Sequence, residues 1–454
     1  MKWSLAFSVV LTGCLLIAGC GGGGGAGAAT LPPLDPTAPL QVSANGRYLV
    51  TQAGAPFLIF GDAPQALMVN VSEADADLYF ANRASHGFNA LWVNLLCRPG
   101  TGGRDDGSTY DGIQPFTTPN DLSTPNEAYF AHCDRVLALA AARGLLVILD
   151  PCETIDHLSV MRANGVAKCR AYGQFLGRRY ASRDNILWMS GNDFQTWSNA
   201  ADDAVALAVV QGIRETDNRH LHTVELNYTV SLSTDDPNWA SNIAMSAAYT
   251  YYPTYAEVLK GYNRAPTMPV FMIEATYEFE HDCTPIVLRR QAYWTFLSGA
   301  TGHVYGNGYI WPFRDGWKSK LDTPGALQTL YQRDLFASLP WYQLVPDQDH
   351  SVVTAGYGTF NDSTAYTADS DYVTAARVAD GSLVVAYMPT LGSLTVDMTK
   401  LSGPATARWY DPTRGTYTAI AGSPFANSGS HVFTPPGNNA DGDGDWALVL
   451  QAGA

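Results

Sequence analysis

Two acidic residues stand where an apolar run stops. Asp193 closes the run NILWMSGND and Glu274 closes PVFMIE, so each falls where a buried strand would run out into a loop. An uncompensated charge at such a place is costly unless a partner or a ligand meets it. Two carboxylates facing each other across a cleft are the minimum apparatus for cutting a glycosidic bond, one as general acid/base and the other as nucleophile. A lone strand-end acid is more often a helix cap or the partner of an arginine. Two of them three β/α units apart, with Asn192 directly before the first, favour the catalytic reading.

The elements that must position them can be counted. From Phe57 onward, apolar runs alternate with helical patterns, the mark of a parallel sheet covered by helices. The strand runs end at Asp62, near Leu96, at Asp150, Asp193, Asn227, Tyr252, Glu274 and Trp311. Seven helical segments fill the gaps; Ser72 with Asp75 makes a capping-box-like start, and Gly144 stops the second helix. The fifth unit is thin, because residues 228 to 242 read as a polar loop. This is the α/β class, a TIM (β/α)8 barrel over residues 40–345 with the two acids on neighbouring mouths. Residues 346–454 change to short β-rich runs separated by turn signals, which predicts a small antiparallel β-sandwich packed against the barrel.

In a barrel the C-terminal ends of all strands face one pocket. The polar residues read at those ends are acids, amides and phenols with almost no cations. Such a ring suits sugar hydroxyls, whereas a phosphorylated substrate calls for Arg, Lys or a glycine-rich cradle. The expected substrate-binding set is Asp62, Asn94, Asp150, Asn192, Asn227, Tyr251, Glu278, His303, Asn307 and Trp311, with Glu225 in the same ring. For Asp62 the alternative is capping the next helix. For Glu278 the readings are orienting Glu274 or pairing with a loop arginine, and for Trp311 and Trp317 they are stacking on sugar or plain packing. Asp441, Asp443 and Asp445 resemble the start of a calcium loop, but the twelfth position lacks Glu, so a turn is expected. No metal and no cofactor are expected.

The first residues read as an address. Lys2 gives a basic start, Leu5 to Ala18 is apolar, and Ile17-Ala18-Gly19-Cys20 resembles the lipobox of bacterial lipoproteins. Residues 1–19 are the expected signal peptide, Cys20 the lipidation site, and residues 20–39 a flexible Gly- and Pro-rich tether. The alternative is a secretory cut near Ala26-Gly27-Ala28. Both predict export: a cell-envelope lipoprotein held to the membrane only by its lipid, or otherwise a secreted protein. Without residues 1–19 the chain has 26 basic residues against 42 acidic ones and no basic cluster, which argues against nucleic-acid binding. In an oxidising compartment Cys152 with Cys169, and Cys97 with Cys133, are candidate disulfides. The cysteine spacings show no zinc pattern.

The segments GRYLVTQAGAPFLIFGDAPQ, HGFNALWVN, TPNEAYFAHCDRV, NILWMSGND, MPVFMIEATYE, LRRQAYWTFLSGATGHVYGNGYIW and LDTPG resemble the apiosidase-like glycoside hydrolases, a clan A-like barrel family, over roughly residues 40–344. The tail, with SLVVAYMPT, LTVDMTKLSG and ARWYDPTRGTYT, resembles the collagen-binding-type β-sandwich that usually follows that barrel. The resemblance implies Asp193 as acid/base, Glu274 as nucleophile and Asn192 as the holder of a sugar hydroxyl beside the reacting carbon. The family often has Gly-Gly-Asp where this chain has Gly191-Asn192-Asp193. It often has Glu-Pro-x-Tyr-Glu where this chain has Glu274-Ala275-Thr276-Tyr277-Glu278, so the reaction class is what carries over. The expected chemistry is retaining hydrolysis of an oligo- or polysaccharide, plant or microbial, with a furanoside among the candidates and with Asp193 having the higher pKa of the pair. The rival reading from another class is a surface glycan-binding lipoprotein without turnover. No HExxH, GxSxG or P-loop motif supports a peptidase or an NTPase.

Overall fold

The apolar runs that stop at polar residues form the wall of a barrel. The computed structural model describes residues 39–194, 199–227, 229–362 and 370–453; the expected signal segment, Cys20 and the tether as far as residue 38 lie outside them. Eight parallel strands make the wall: β1 (Ile59–Asp62), β2 (Ala90–Asn94), β3 (Leu146–Asp150), β4 (Ile186–Phe194), β5 (His222–Leu226), β6 (Ser246–Thr250), β7 (Val270–Glu274) and β8 (Gly302–Tyr305). Their hydrogen-bonded order is β5-β4-β3-β2-β1-β8-β7-β6, and the short strand Val230–Leu232 runs antiparallel along the free edge of β6. Between β5 and β6 there is no ladder. The seam is stitched by Ser233, whose Oγ accepts from the Ala247 amide at 2.7 Å and donates to the Val224 carbonyl at 2.5 Å. The thin fifth unit is thus a 3-10 turn (Ser233–Asp235) in place of a helix.

Besides the single turn Leu67–Asn70, seven α-helices of the described residues pack outside: α1 (Glu73–Ser85), α2 (Glu127–Ala142), α3 (His157–Tyr180), α4 (Ala200–Thr216), α5 (Thr254–Tyr262), α6 (Pro285–Leu297) and α7 (Pro324–Ala337). Ser72 caps α1 by accepting from the Asp75 amide at 3.1 Å. Helix α3 begins well before the expected segment AYGQFLGRRYAS and is interrupted at Gly165, whose φ is +70°. The glycine interrupts the helical pattern, so periodicity hides the first half.

Strands covered on both faces read as continuous apolar runs, with alternate residues serving two cores. Ala90, Trp92, Leu146, Ile148, Leu187, Met189, Ala247, Tyr249, Phe271 and Ile273 fill the barrel. Leu91, Val93, Val147, Leu149 and Trp188 pack outward with the side chains of α1 to α4. The eighth run, expected to continue to Trp311, is a strand only to Tyr305. Asn307 then turns the chain: its Oδ1 accepts from the Tyr309 amide at 2.9 Å and its carbonyl from the Ile310 and Trp311 amides.

The two expected disulfides do not form. Cys97, Cys133, Cys152 and Cys169 are buried free thiols of one core, and Cys283 is also free. Burial raises the thiol pKa of Cys169 to about 11 and of Cys283 to about 12, so they behave as small apolar groups.

The C-terminal strands are β9 (Leu344–Pro346), β10 (Val353–Ala355), β11 (Thr374–Val378), β12 (Leu383–Met388), β13 (Leu394–Asp397), β14 (Ala405–Asp411), β15 (Thr416–Ala419), β16 (Ser430–Phe433) and β17 (Trp446–Ala452). They make two antiparallel sheets, β9-β11-β12-β17-β14-β15 and β10-β13-β16. One core joins Tyr293, Trp294 and Phe296 of α6 and Phe336 of α7 to Tyr372, Val385, Tyr387 and Val449. The rings of Tyr293 and Tyr387 stack with centroids 4.5 Å apart. The buried Arg289 of α6 makes a forked ion pair with Asp445, at 2.8 and 2.7 Å, and reaches Asp443 at 2.6 Å. Asp441 accepts from Gln328 of α7 at 2.8 Å. The acidic turn that resembles a calcium loop is therefore a latch onto the barrel helices.

Candidate active site

Strand alternation turns Asp193 inward with Leu187 and Met189 but would turn Asn192 and Glu274 away from the pocket; two irregularities bring those in. On β4 the register with β5 shifts between Ser190, opposite Val224, and Phe194, opposite Leu226. Gly191, Asn192 and Asp193 bulge between them with φ of +117°, +84° and +55°. A β-carbon on Gly191 would lie 2.1 Å from the Glu225 carbonyl oxygen, so only glycine fits. Thr154 pins the bulge, its Oγ1 donating to the carbonyls of Gly191 at 2.9 Å and Asn192 at 2.8 Å. Left-handed Asn and Asp are held at a cost of about 1–3 kcal/mol each. That cost re-aims side chains, the common use of a bulge beside an active site.

On β7 the ladder with β6 slips as well. Ala248 pairs with Met272, but Tyr249 pairs with Glu274. Phe271 and Ile273 face inward, so strict alternation would turn Glu274 outward; the slip turns it in. There Tyr251 donates to its Oε1 at 2.7 Å and Tyr277 to its Oε2 at 2.8 Å. Gln65 Nε2 donates to the Tyr277 hydroxyl at 3.1 Å. Gly306 gives that ring room, since a β-carbon there would come within 2.0 Å of it. The Tyr249 hydroxyl donates to the Tyr251 oxygen at 3.0 Å. It also lies against both acids, and its hydrogen bonding lowers the pKa of each.

Burial opposes those bonds. It raises Asp193 to about 6, and it raises Glu274, which also feels the charge of Asp193, to about 8. Between those values the pair carries one proton. Two more acids lie inside the barrel. Glu225 on β5 is fully buried, and neither of its oxygens has a hydrogen-bond partner of normal geometry, although the Asp193 amide faces it. Asp150 accepts from the Cys152 amide at 2.9 Å through Oδ1, while its Oδ2 has no partner. Burial raises both pKa values well above the usual carboxylate range. Asn94 Nδ2 donates to Asn192 Oδ1 at 2.9 Å, fixing the Asn192 amide beside Asp193.

Other members of the expected ring are spent on the fold. Asp62 faces outward from β1, with Oδ2 taken by Arg83 at 2.5 Å and Tyr79 at 2.6 Å and Oδ1 by the Ala63 amide; it anchors α1 and does not reach the pocket. Glu278 is caged by Tyr305, Thr323 at 2.6 Å, the Gly325 amide at 3.1 Å and Asn307, tying the loop after β7 to the start of α7. Asn307 is consumed by that cage and its own turn. His303 pairs in register with Phe60 and Met272, both outward-facing, so it points to the helical layer. Burial lowers its pKa to about 4 and keeps it neutral. Trp317 packs against Tyr79 and Phe313. Trp311 is half-buried against the barrel core and donates to Glu280 at 2.7 Å, and Asn227 is partly exposed beyond β5. The sequence reading missed Gln65, Thr154, Tyr249 and Tyr277; of these only Tyr277 carried a signal, its fixed place three residues after Glu274.

The sequence matches the model of the catalytic domain described as apiosidase-like over residues 43–343. Residues 360–451 match the model described as "Putative collagen-binding domain of a collagenase". Among solved structures, one described as a glycoside hydrolase superposes with a TM-score of 0.79 at 24% identity, covering 92% of this chain and 97% of that one. A glycoside hydrolase family 5 structure from Bacteroides vulgatus ATCC 8482 gives 0.80 at 22% identity, covering 93% and 95%. At those identities the likeness is one of fold. No curated protein sequence matches the chain.

Proposed function

The chain belongs to the apiosidase-like family and is a glycoside hydrolase, and we propose that it cleaves its glycan with retention, Glu274 attacking and Asp193 serving as acid/base. One observation carries this reading: a single phenol oxygen, that of Tyr249, faces both carboxyls. Retention requires the two carboxyl groups about 5–5.5 Å apart, inversion about 6.5–9.5 Å.

In the first step a Glu274 oxygen attacks the anomeric carbon. The bond from that carbon to the leaving oxygen breaks, and the Asp193 proton passes to that oxygen. In the second, Asp193 takes a proton from water, whose oxygen displaces the Glu274 carboxylate from the sugar. The productive form has the pair's proton on Asp193. The Tyr251 and Tyr277 hydroxyls aimed at Glu274 favour its ionised form, and a bound leaving oxygen gives the Asp193 proton an acceptor. Asn192, oriented by Asn94, is placed to hold a hydroxyl next to the reacting carbon.

The proposed substrate is a plant or microbial oligo- or polysaccharide, with a furanoside among the candidates, met outside the cytoplasm by a protein tethered through Cys20. Product release from pectic, arabinan and β-glucan substrates, compared between wild type, Glu274→Gln and Asp193→Asn, tests the catalytic part. Release of one sugar that both variants abolish upholds it, and release unaffected by either refutes the pair. Metabolic labelling with palmitate, lost in Cys20→Ala, tests the anchor.

A further inference from the structure

The loop after β7 is the most strained described segment next to the acids. Nine described non-glycine residues have positive φ; two are Asn192 and Asp193, and three are Phe279 (+70°), His281 (+49°) and Asp282 (+56°). A bulky residue in that region is a true outlier, and such strain persists only where the surroundings over-determine it. Here they do. The Glu278 amide donates to the Gly306 carbonyl at 3.0 Å, the Gly308 amide to the Glu278 carbonyl at 2.8 Å, and Trp311 to Glu280.

The strain presents aromatic groups at the mouth. Phe279 is 46% exposed. Its ring meets Tyr309 edge-on with centroids 5.4 Å apart, and the Lys320 ammonium stands 5.0 and 5.1 Å from the two ring centres. Two residues on, the exposed His281 ring packs 5.2 Å from Tyr251, the phenol that donates to Glu274. One rigid turn thus reaches from the attacking carboxylate to an exposed aromatic pair beside which the Lys320 ammonium stands.

Resting on the glycosidase reading above, the geometry points to a second sugar-binding subsite on this loop. Phe279 with Tyr309 is the platform on which a further ring of an oligosaccharide stacks, and His281 hydrogen-bonds the saccharide between that ring and the reacting bond. Apolar sugar faces stack on such aromatic surfaces, and hydroxyls are met by an imidazole or ammonium. The substrate class is therefore an oligosaccharide extending past the cleaved residue, not a lone glycoside.

The test uses the full chain in an inactive Glu274→Gln background, with and without Phe279→Ala or His281→Ala, titrated calorimetrically with arabinan, pectic and β-glucan oligosaccharides. Loss of at least about tenfold in affinity with Phe279→Ala, restored by Phe279→Trp, is expected. In the active enzyme, Phe279→Ala and His281→Ala should each raise KM far more on the oligosaccharide than on the matching aryl monoglycoside. Unaltered affinity, equal loss on both substrates, or no binding of any probe by the parent overturns the subsite. Binding that depends on Phe279, without turnover by wild type, overturns the catalytic reading alone.

Discussion

Tyr251, one residue past β6, donates its phenol hydrogen to Oε1 of Glu274, the last residue of β7, across 2.7 Å. A hydrogen bond to a charged group contributes about 1.5–3 kcal/mol, and this one lowers the Glu274 pKa. Tyr251→Phe is therefore expected to cut kcat/KM by about tenfold to a hundredfold and to move the alkaline limb of the pH profile upward. Tyr277→Phe, which removes the donor to the other oxygen, should act in the same direction. Retained activity and an unmoved limb in both variants would show that the phenols only pack.

The titration of the pair sets the pH dependence. Below about 6 both acids hold protons and the nucleophile is lost; above about 8 both are ionised and the proton donor is lost. A bell-shaped kcat/KM with limbs near those values and a maximum between them is expected, the limbs belonging to the coupled pair and not to single residues. A flat profile across that window would contradict the two-carboxylate assignment.

The sequence carries the barrel plainly and the site only in part, for a geometric reason. Apolar runs long enough to be buried on both faces mark seven of the eight strands and their endings well. The eighth misleads because GNGYIW keeps its apolar residues while Asn307 turns the backbone. An acid at a strand end has two faces to choose from, and nothing in the run says which. Asp62 takes the outer face and is spent on Arg83, whereas Asp150 takes the inner one. Asn192 and Glu274 owe their inward direction to a bulge and a register slip, which are set by pairing with the strands that carry Glu225 and Tyr249. Local pattern cannot contain that information. The four buried thiols are misread for a related reason, since cysteine in a core looks the same in sequence as cysteine in a bridge.

Glu274 is held in a state that destabilises the fold at alkaline pH. Burial raises the folded pKa of Glu274 above its ordinary value of 4.5, so the carboxyl binds its proton more tightly in the native state. Its stabilising contribution is full below the ordinary value and is lost as pH rises through the folded one. Glu274→Gln removes that loss, so the inactive variant is expected to be more stable than the parent at about pH 8.5, by on the order of 2–4 kcal/mol, and to show little gain near pH 4.5. Urea unfolding at the two pH values checks this, and an identical difference at both would refute it.

Asn94 has no direct path to substrate in this geometry and acts through Asn192. Asn192→Ala should lower kcat/KM by about tenfold to a hundredfold, and Asn94→Ala by a similar factor because the Asn192 amide is then free to turn. The double variant should be little worse than either single one, the mark of a shared interaction. Additive losses would mean that the two amides contact the sugar independently.

The sandwich is held to the barrel by Arg289, whose guanidinium is almost fully buried between Asp445, Asp443 and Gln328. Removing one partner of a buried ion pair leaves an uncompensated charge, at a cost of about 3–5 kcal/mol. Arg289→Met strands Asp445, which still accepts from Tyr387 at 2.8 Å and from Asn439 at 2.8 Å, so a loss near the lower end is expected. Arg289→Met with Asp445→Asn should recover most of it, because no fully buried charge then remains, Asp443 being partly exposed. The Tyr293–Tyr387 stack belongs to the same interface, so the two units should melt in one calorimetric transition in the parent and separate in the single variant. A single variant that still melts as one unit at the parent's temperature would mean that the apolar interface alone couples them, with the latch setting orientation only.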